Sequence, residues 1–393
     1  MSNAAQRLDA LLKPDLEALK ARSLFRLRQL VDGPQGAEIQ FDGRRCLNFS
    51  SNDYLGLAGH PALRAAVRQA LDMYGTGSGA SHLITGHTRA HAEFEAELAE
   101  FVQRPRALLF STGYMANLGV AGALLGRGDR MLADRLCHAS LLDACRYSGA
   151  RFSRYPHAQA DAPQWRRIQS GANTLVVTDG VFSMDGDMAP LPALARACET
   201  AGAFLMVDDA HGFGVLGAHG RGSLEHFGLD MRQVPILMAT LGKALGGFGA
   251  FVAGSEALVE TLIQRARTYI YTTATPACVA EAGRAALRLV QAEDWRRTHL
   301  KQLIQRFRLG AAQLKLPVLE SSTAIQPLLL GDAERALSVS ESLRERGLLA
   351  LAIRPPTVPA GSARLRITLT AAHSGQHVDR LLEALTEVMS NAN

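Results

Sequence analysis

FLMVDDAHGFGVLG, residues 204–217, and PILMATLGKALGGFGA, residues 235–250, decide the fold. Each begins as a short, almost wholly apolar run and breaks off into polar residues and glycines. Runs apolar without alternation suit strands covered on both faces, as in a parallel sheet packed between helices. In an open sheet of that kind, ligands lie beyond the carboxyl ends of the strands. Asp208 and His211 therefore fall at one strand end, and Thr240 and Lys243 at the next. Two readings fit the acids and the histidine: a binding crevice, or an aspartate capping a turn beside a satisfied loop histidine.

Working outward, the same alternation predicts strands over 107–110, 130–133, 174–178, 204–207, 235–240 and 249–253. Helical periodicity fills the gaps at 91–101, 114–125, 141–148 and 191–201. The pattern is an α/β domain around a mostly parallel sheet. Upstream, residues 1–45 read as an amphipathic helical arm, the turn signal VDGPQG and a strand pair near 39–47. Downstream of a long helical stretch at 276–314, short strands at 325–330, 348–353 and 364–369 alternate with helices at 332–346 and 376–390. This predicts a smaller C-terminal α+β domain, with boundaries at 1–45, 46–285 and 286–393.

Composition narrows the function. The 393 residues are 47% apolar and 20% charged, which excludes disorder and small disulfide scaffolds. A net charge of +5 with no clustered basic block argues against nucleic-acid binding. Five dispersed cysteines without C-x-x-C spacing exclude a disulfide framework and a cysteine zinc site. No apolar stretch approaches the roughly 18 residues of a membrane span, and the N-terminus lacks a signal-peptide core, so a cytoplasmic protein is expected. The only lysines are Lys13, Lys20, Lys243, Lys301 and Lys315, which makes the one inside TLGKALGG conspicuous.

An acid and a lysine at adjacent strand ends suit pyridoxal phosphate. The lysine forms a Schiff base, and the carboxylate keeps the pyridine nitrogen protonated so that the ring accepts electrons. ALLFSTGYMANLGVAGALL, 107–125, offers a strand, a small-residue turn and a helix start whose free N–H groups attract phosphate. VTDGVFSMDGDMAPL, 177–191, opens into a polar loop with Ser183 as a hydrogen-bonding group. His138 follows the strand at 130–133, where it either covers a cofactor ring or caps the next helix. Arg364 and Arg366, two apart on a strand, share one face, solvated or interdomain.

Six segments carry a family resemblance: LNFSSNDYLGL at 47–57, GSGASHLITGHTRAHAEFEAELAEF at 77–101, DGVFSMDGDMAPL at 179–191, VDDAHGFGVLG at 207–217, TLGKALGG at 240–247 and IRPPTVPAGSARLRITLTAAH at 353–373. In this order the chain resembles the α-oxoamine synthases, fold-type I pyridoxal-phosphate transferases, from about residue 24 to 385. The branch it resembles most condenses L-alanine with a pimeloyl thioester, on CoA or acyl carrier protein, in biotin biosynthesis. The resemblance implies that Lys243 is the Schiff-base lysine, Asp208 the pyridinium partner, and His211 with Ser183 the partners of the phenolic oxygen. It implies that His138 stacks over the ring and takes part in catalysis. Gly113, Tyr114 and Thr240 would hold the phosphate, and Thr272 and Thr273 would reach it from the second subunit of a homodimer. For the substrates it implies Asn52, Arg354 on the amino-acid carboxylate, Thr357 beside the acyl chain, and Arg26 on the distal carboxylate.

Competing readings are a synthase of the same family using glycine or serine with another acyl-CoA, and a pyridoxal-phosphate-binding protein without catalysis. A metal site built from His82, His87 and His91 is a further reading; no acidic ligand set accompanies these residues in the sequence, and no metal is expected.

Overall fold

The computed structural model describes residues 3–168 and 172–391. Seven strands form the central sheet, in the spatial order Arg106–Phe110, Ala250–Gly254, Ile236–Thr240, Phe204–Asp208, Thr174–Asp179, Arg130–Asp134 and Arg151–Tyr155. Only Ala250–Gly254 runs antiparallel to its neighbours. Every residue of Thr174–Asp179 and of Ala250–Gly254 is buried, as expected for strands sandwiched between helical layers. The expected strands of this sheet are all present, whereas the strand expected at 348–353 is split into Leu348–Leu349 and Ala352–Ile353, in two different sheets. Arg151–Tyr155 was not anticipated, because RFSRY is an edge strand whose charged residues break the apolar signature.

Local chemistry sets the helix starts. Thr112 caps Gly113–Leu124 by accepting from the Met115 amide at 3.1 Å, and His138 caps Ala139–Ser148 by accepting from the Ser140 amide at 3.3 Å. Gly149 and Gly202 sit in the left-handed conformation just past their helices. The helix Gly113–Leu124 is rich in glycine and alanine and packs closely: a Cβ at Gly119 would lie 2.8 Å from the Thr268 hydroxyl.

The smaller lobe holds a three-stranded antiparallel sheet, Ile325–Gly331, Ala363–Thr368 and Ala352–Ile353, with the helices Ala333–Glu345 and Gly375–Asn391. Its second sheet joins the two ends of the chain. Arg44–Asn48 pairs with Glu38–Phe41 on one side and, in parallel, with Leu348–Leu349 on the other. The segment 38–48 is thus built into the C-terminal lobe, whereas the first helix, Ala4–Ala21, buries none of its residues. The expected boundary at 285/286 falls inside the helix Ala277–Ala292. The stretch 276–314 is two helices, the second being Trp295–Gln313.

Because the strands at 106–110, 130–134, 174–179, 204–208 and 236–240 run parallel, their carboxyl ends share one edge. Everything predicted from strand ends converges there.

Candidate active site

A cavity at that edge is lined by Gly113, Tyr114, His138, Ser183, Asp208, His211, Thr240 and Lys243, the expected groups from five strand ends. Asp208 is buried, and its carboxylate accepts from the Asn117 side chain at 2.8 Å and the Ala210 amide at 3.1 Å. Both donors fix its orientation. Lys243 reaches in from the next strand end, with its Nζ 2.8 Å from His211 Nε2. Burial, opposed by the Asp208 charge and reinforced by that of Arg366, lowers the amine to about 8. An amine poised near neutrality beside a carboxylate is the signature of a reactive lysine.

The remaining groups complete a cradle for an aromatic phosphate. Gly113 begins the helix Gly113–Leu124, so its N-terminus faces the cavity, and Thr240 stands opposite, donating to the Gly249 carbonyl at 3.0 Å. His138 does both things its position suggested: it lines the cavity, and its Nδ1 caps the helix that follows. Burial holds the imidazole below the usual histidine range. Asp208 at the floor, Lys243 at the side and a helix N-terminus at the end fit pyridoxal phosphate in charge and placement.

Not every expected residue arrives. Arg26 and Thr357 are exposed and do not line this cavity. Arg354 hydrogen-bonds the Ser23 carbonyl, tying the N-terminal arm to the turn before Pro355. Thr272 and Thr273 also lie outside the cavity; Thr273 is exposed and forms an isolated bridge with Ser81. Asn52 is close by, through Tyr54, whose hydroxyl lies 3.2 Å from Asn52 Oδ1 and 2.6 Å from His211 Nδ1.

Sequence reasoning missed several participants. Asn117 is a fully polar side chain in an otherwise apolar helix, a signal available in the sequence. Asp179 ends an apolar strand as Asp208 does, pairs with it in register, and accepts from the His138 amide at 3.1 Å. Burial, then the neighbouring Asp208 charge, pushes its carboxyl well above the ordinary range. Arg366 and Arg364 are buried at the interdomain face rather than solvated. Arg366 donates to Asn52 Oδ1 at 3.0 Å and to the Ser183 carbonyl; Arg364 pairs with Asp185 at 2.6 Å. Asp209 does not line the cavity. It accepts from the Ser223 amide at 2.7 Å, and a Cβ at Gly222, where φ is +101°, would strike its carboxylate.

The histidine cluster is real: His82, His87 and His91 bring ligand atoms within 4.8 Å of one another. Hydrogen bonds already close it. His91 Nδ1 faces the Thr88 amide at 3.0 Å, so its Nε2 carries the proton and donates to the Thr275 carbonyl at 2.7 Å. His82 and His87 meet through their Nδ1 atoms at 3.0 Å, and Glu95 lies 3.9 Å from the opposite edge of His87.

A family model described as aminotransferase class I and II matches residues 44–385. The chain is 62% identical to an 8-amino-7-oxononanoate synthase of Nitrosococcus oceani, over 95% of this chain and 100% of the relative. It is 61% identical to the enzyme of that name from Thioalkalivibrio sulfidiphilus, over 96% of this chain and 97% of the relative. Among solved structures, a serine palmitoyltransferase of Sphingomonas wittichii superposes with a TM-score of 0.93 at 31% identity, covering 100% of this chain and 99% of that one. A serine palmitoyltransferase from S. paucimobilis with bound PLP gives 0.93 at 27% identity, covering 100% and 99%. The backbone is thus common to both activities, while identity to these two oxononanoate synthases is about twice as high as to the serine palmitoyltransferases. The chain belongs to the 8-amino-7-oxononanoate synthase family, pyridoxal-phosphate enzymes with the fold-type I transferase architecture.

Proposed function

We propose that this site condenses L-alanine with a pimeloyl thioester, releasing carbon dioxide and the free thiol carrier, to give 8-amino-7-oxononanoate for biotin biosynthesis. The observation that carries the reading is the identity of about 60% to 8-amino-7-oxononanoate synthases over nearly the whole chain; Lys243, one strand from the buried carboxylate of Asp208 in a single cavity, is the amine that fits it.

When bound, the cofactor ring supplies an electron sink for the carbanion at alanine Cα, once when the proton leaves and again when carbon dioxide does. The chain's own residues do the rest. Lys243 holds the cofactor, then, as a free amine, takes the Cα proton and later returns one. Asp208, locked by Asn117, keeps a proton on the ring nitrogen. His138 would lie over the bound cofactor, Ser183 and His211 would partner its phenolic oxygen, and Gly113, Tyr114 and Thr240 would hold its phosphate.

The amino-acid carboxylate needs a guanidinium. Arg366 is the arginine whose charge is felt at both Lys243 and His211, so it joins Arg354 in this role, with Asn52 held between Arg366 and Tyr54. Arg26 takes the distal carboxylate of the acyl group, and Thr357 lies beside its chain.

The enzyme acts as a homodimer in the cytoplasm, with Thr272 and Thr273 completing the partner's phosphate site. Hybrid dimers of Lys243→Ala chains with Thr272→Ala/Thr273→Ala chains then regain one intact site; absence of recovery contradicts the shared site. Substrate choice is tested by supplying alanine, glycine or serine with pimeloyl-CoA or pimeloyl carrier protein and measuring carbon dioxide and amino-ketone. Alanine gives both products, and preference for glycine or serine overturns the reading.

A further inference from the structure

The cavity wall carries a chain of polar contacts that the proposed reaction leaves unexplained. Lys243 Nζ lies 2.8 Å from His211 Nε2; His211 Nδ1 lies 2.6 Å from the Tyr54 hydroxyl; that hydroxyl lies 3.2 Å from Asn52 Oδ1, which accepts from Arg366 at 3.0 Å. Arg366 also donates to this hydroxyl, at 3.5 Å, and because Tyr54 is 1% exposed these partners stand in place of bulk water. Burial also keeps its phenol un-ionised.

The donor inventory permits this chain to be arranged in two ways. An ammonium has donors and no lone pair, so while Lys243 is charged it must donate to His211 Nε2. The neutral imidazole then carries its proton on Nδ1, donates to Tyr54, and Tyr54 donates to Asn52. A free amine at Lys243 has a lone pair. His211 then carries its proton on Nε2 and donates to Lys243, while Tyr54 turns its single proton towards Nδ1. Every buried group is satisfied in both arrangements only because a hydroxyl, which both donates and accepts, sits beside Nδ1.

We propose that Tyr54 is a positioning residue whose hydroxyl lets the His211 imidazole follow the charge on Lys243, with its proton on Nδ1 beside the ammonium and on Nε2 beside the free amine. The exchange moves no net proton on the ring: one N–H is lost and one is gained. The proton that leaves Lys243 in a titration goes to solvent. Around the pair stand Asp208, Asp179, Arg366 and His138, and none of them touches Nδ1. The consequence rests on the reading of Lys243 as the reacting amine: in the chain without cofactor, His211 accommodates that amine whether it is charged or neutral.

The test uses the full-length chain freed of cofactor, so its failure leaves the assignment of the cofactor lysine untouched. Nitrogen-15 spectra of the histidine rings are followed from pH 6 to 10, alongside the rate at which an amine-directed acylating reagent labels the Lys243 peptide. In the unsubstituted chain the His211 proton sits on Nδ1 at the acid end and on Nε2 at the alkaline end. In Tyr54→Phe an Nδ1–H has no acceptor, so the ring stays Nε2–H, the ammonium loses its acceptor, and Lys243 titrates about one unit lower, labelling about tenfold faster at neutral pH. A single tautomer throughout in the unsubstituted chain overturns the proposal, as does a Tyr54→Phe protein that titrates and labels like it. Should Tyr54→Phe fail to fold, the unsubstituted titration decides alone.

Discussion

Two clusters of titratable groups invite comparison: Lys243, His211, His138, Asp208 and Asp179 at the sheet edge, and His82, His87, His91 and Glu95 beside the helix Arg89–Phe101. Both are perturbed. Burial drives His82 down to about 3 and raises Glu95 to about 7, shifts as large as that of Lys243. The difference lies in availability. In the histidine cluster His91 spends both ring nitrogens on Thr88 and Thr275, whereas the Lys243 amine meets only a histidine able to change tautomer, at the wall of an open cavity. Density of ionisable groups marks a place where burial is expensive; chemistry requires a free lone pair or charge facing space for a ligand.

The sharpest way to break this contrast is to remove the amine. Lys243→Ala is expected to lose at least the roughly 10²–10⁴-fold that a positioned general base supplies, measured as product formation, with the fold intact by circular dichroism. Asp208→Asn keeps the Asn117 contact but removes the charge, and activity falls roughly tenfold for each pKa unit lost at the ring nitrogen. Turnover equal to the parent chain contradicts the electron-sink role.

Arg366→Lys comes next. A lysine cannot keep the contacts to Asn52 and Ser183, and KM for alanine rises roughly 10- to 100-fold, the worth of a charged hydrogen bond. Arg354→Lys, at the tethered turn, gives a smaller rise, and the reverse order assigns the carboxylate to Arg354. Smaller still is a change in stability. His157 bridges Asp134 at 3.0 Å and Asp187 at 2.8 Å, and these carboxylates raise it to about 10 against the cost of burial. A raised pKa means that the stabilisation is complete below the unfolded value of about 6.5. It is lost as pH rises through 10, so His157→Gln flattens the alkaline fall of the melting temperature. At the far end, a chelator leaves activity unchanged and the purified protein holds no stoichiometric metal; activity lost to chelation would put the histidine cluster to use.

The strand ends at Asp208 and Lys243 were legible because an apolar run that stops at a charged residue announces both burial and direction. His138 was legible in position: it caps the helix that follows and lines the cavity. Tyr54 and Arg366 were not: they meet across 312 positions of chain, through a lobe whose second sheet is completed by Leu348–Leu349. Spacing within a motif cannot report a contact made by two lobes closing. Nor could an alternating pattern show that Arg364 and Arg366 face a neighbouring loop rather than water.

The account stands most directly on Lys243 as the residue that holds the cofactor. Reduction of the loaded enzyme with borohydride, digestion and peptide mapping will place the pyridoxyl group on Lys243. A pyridoxyl group on any of the other four lysines, or on none, would contradict it.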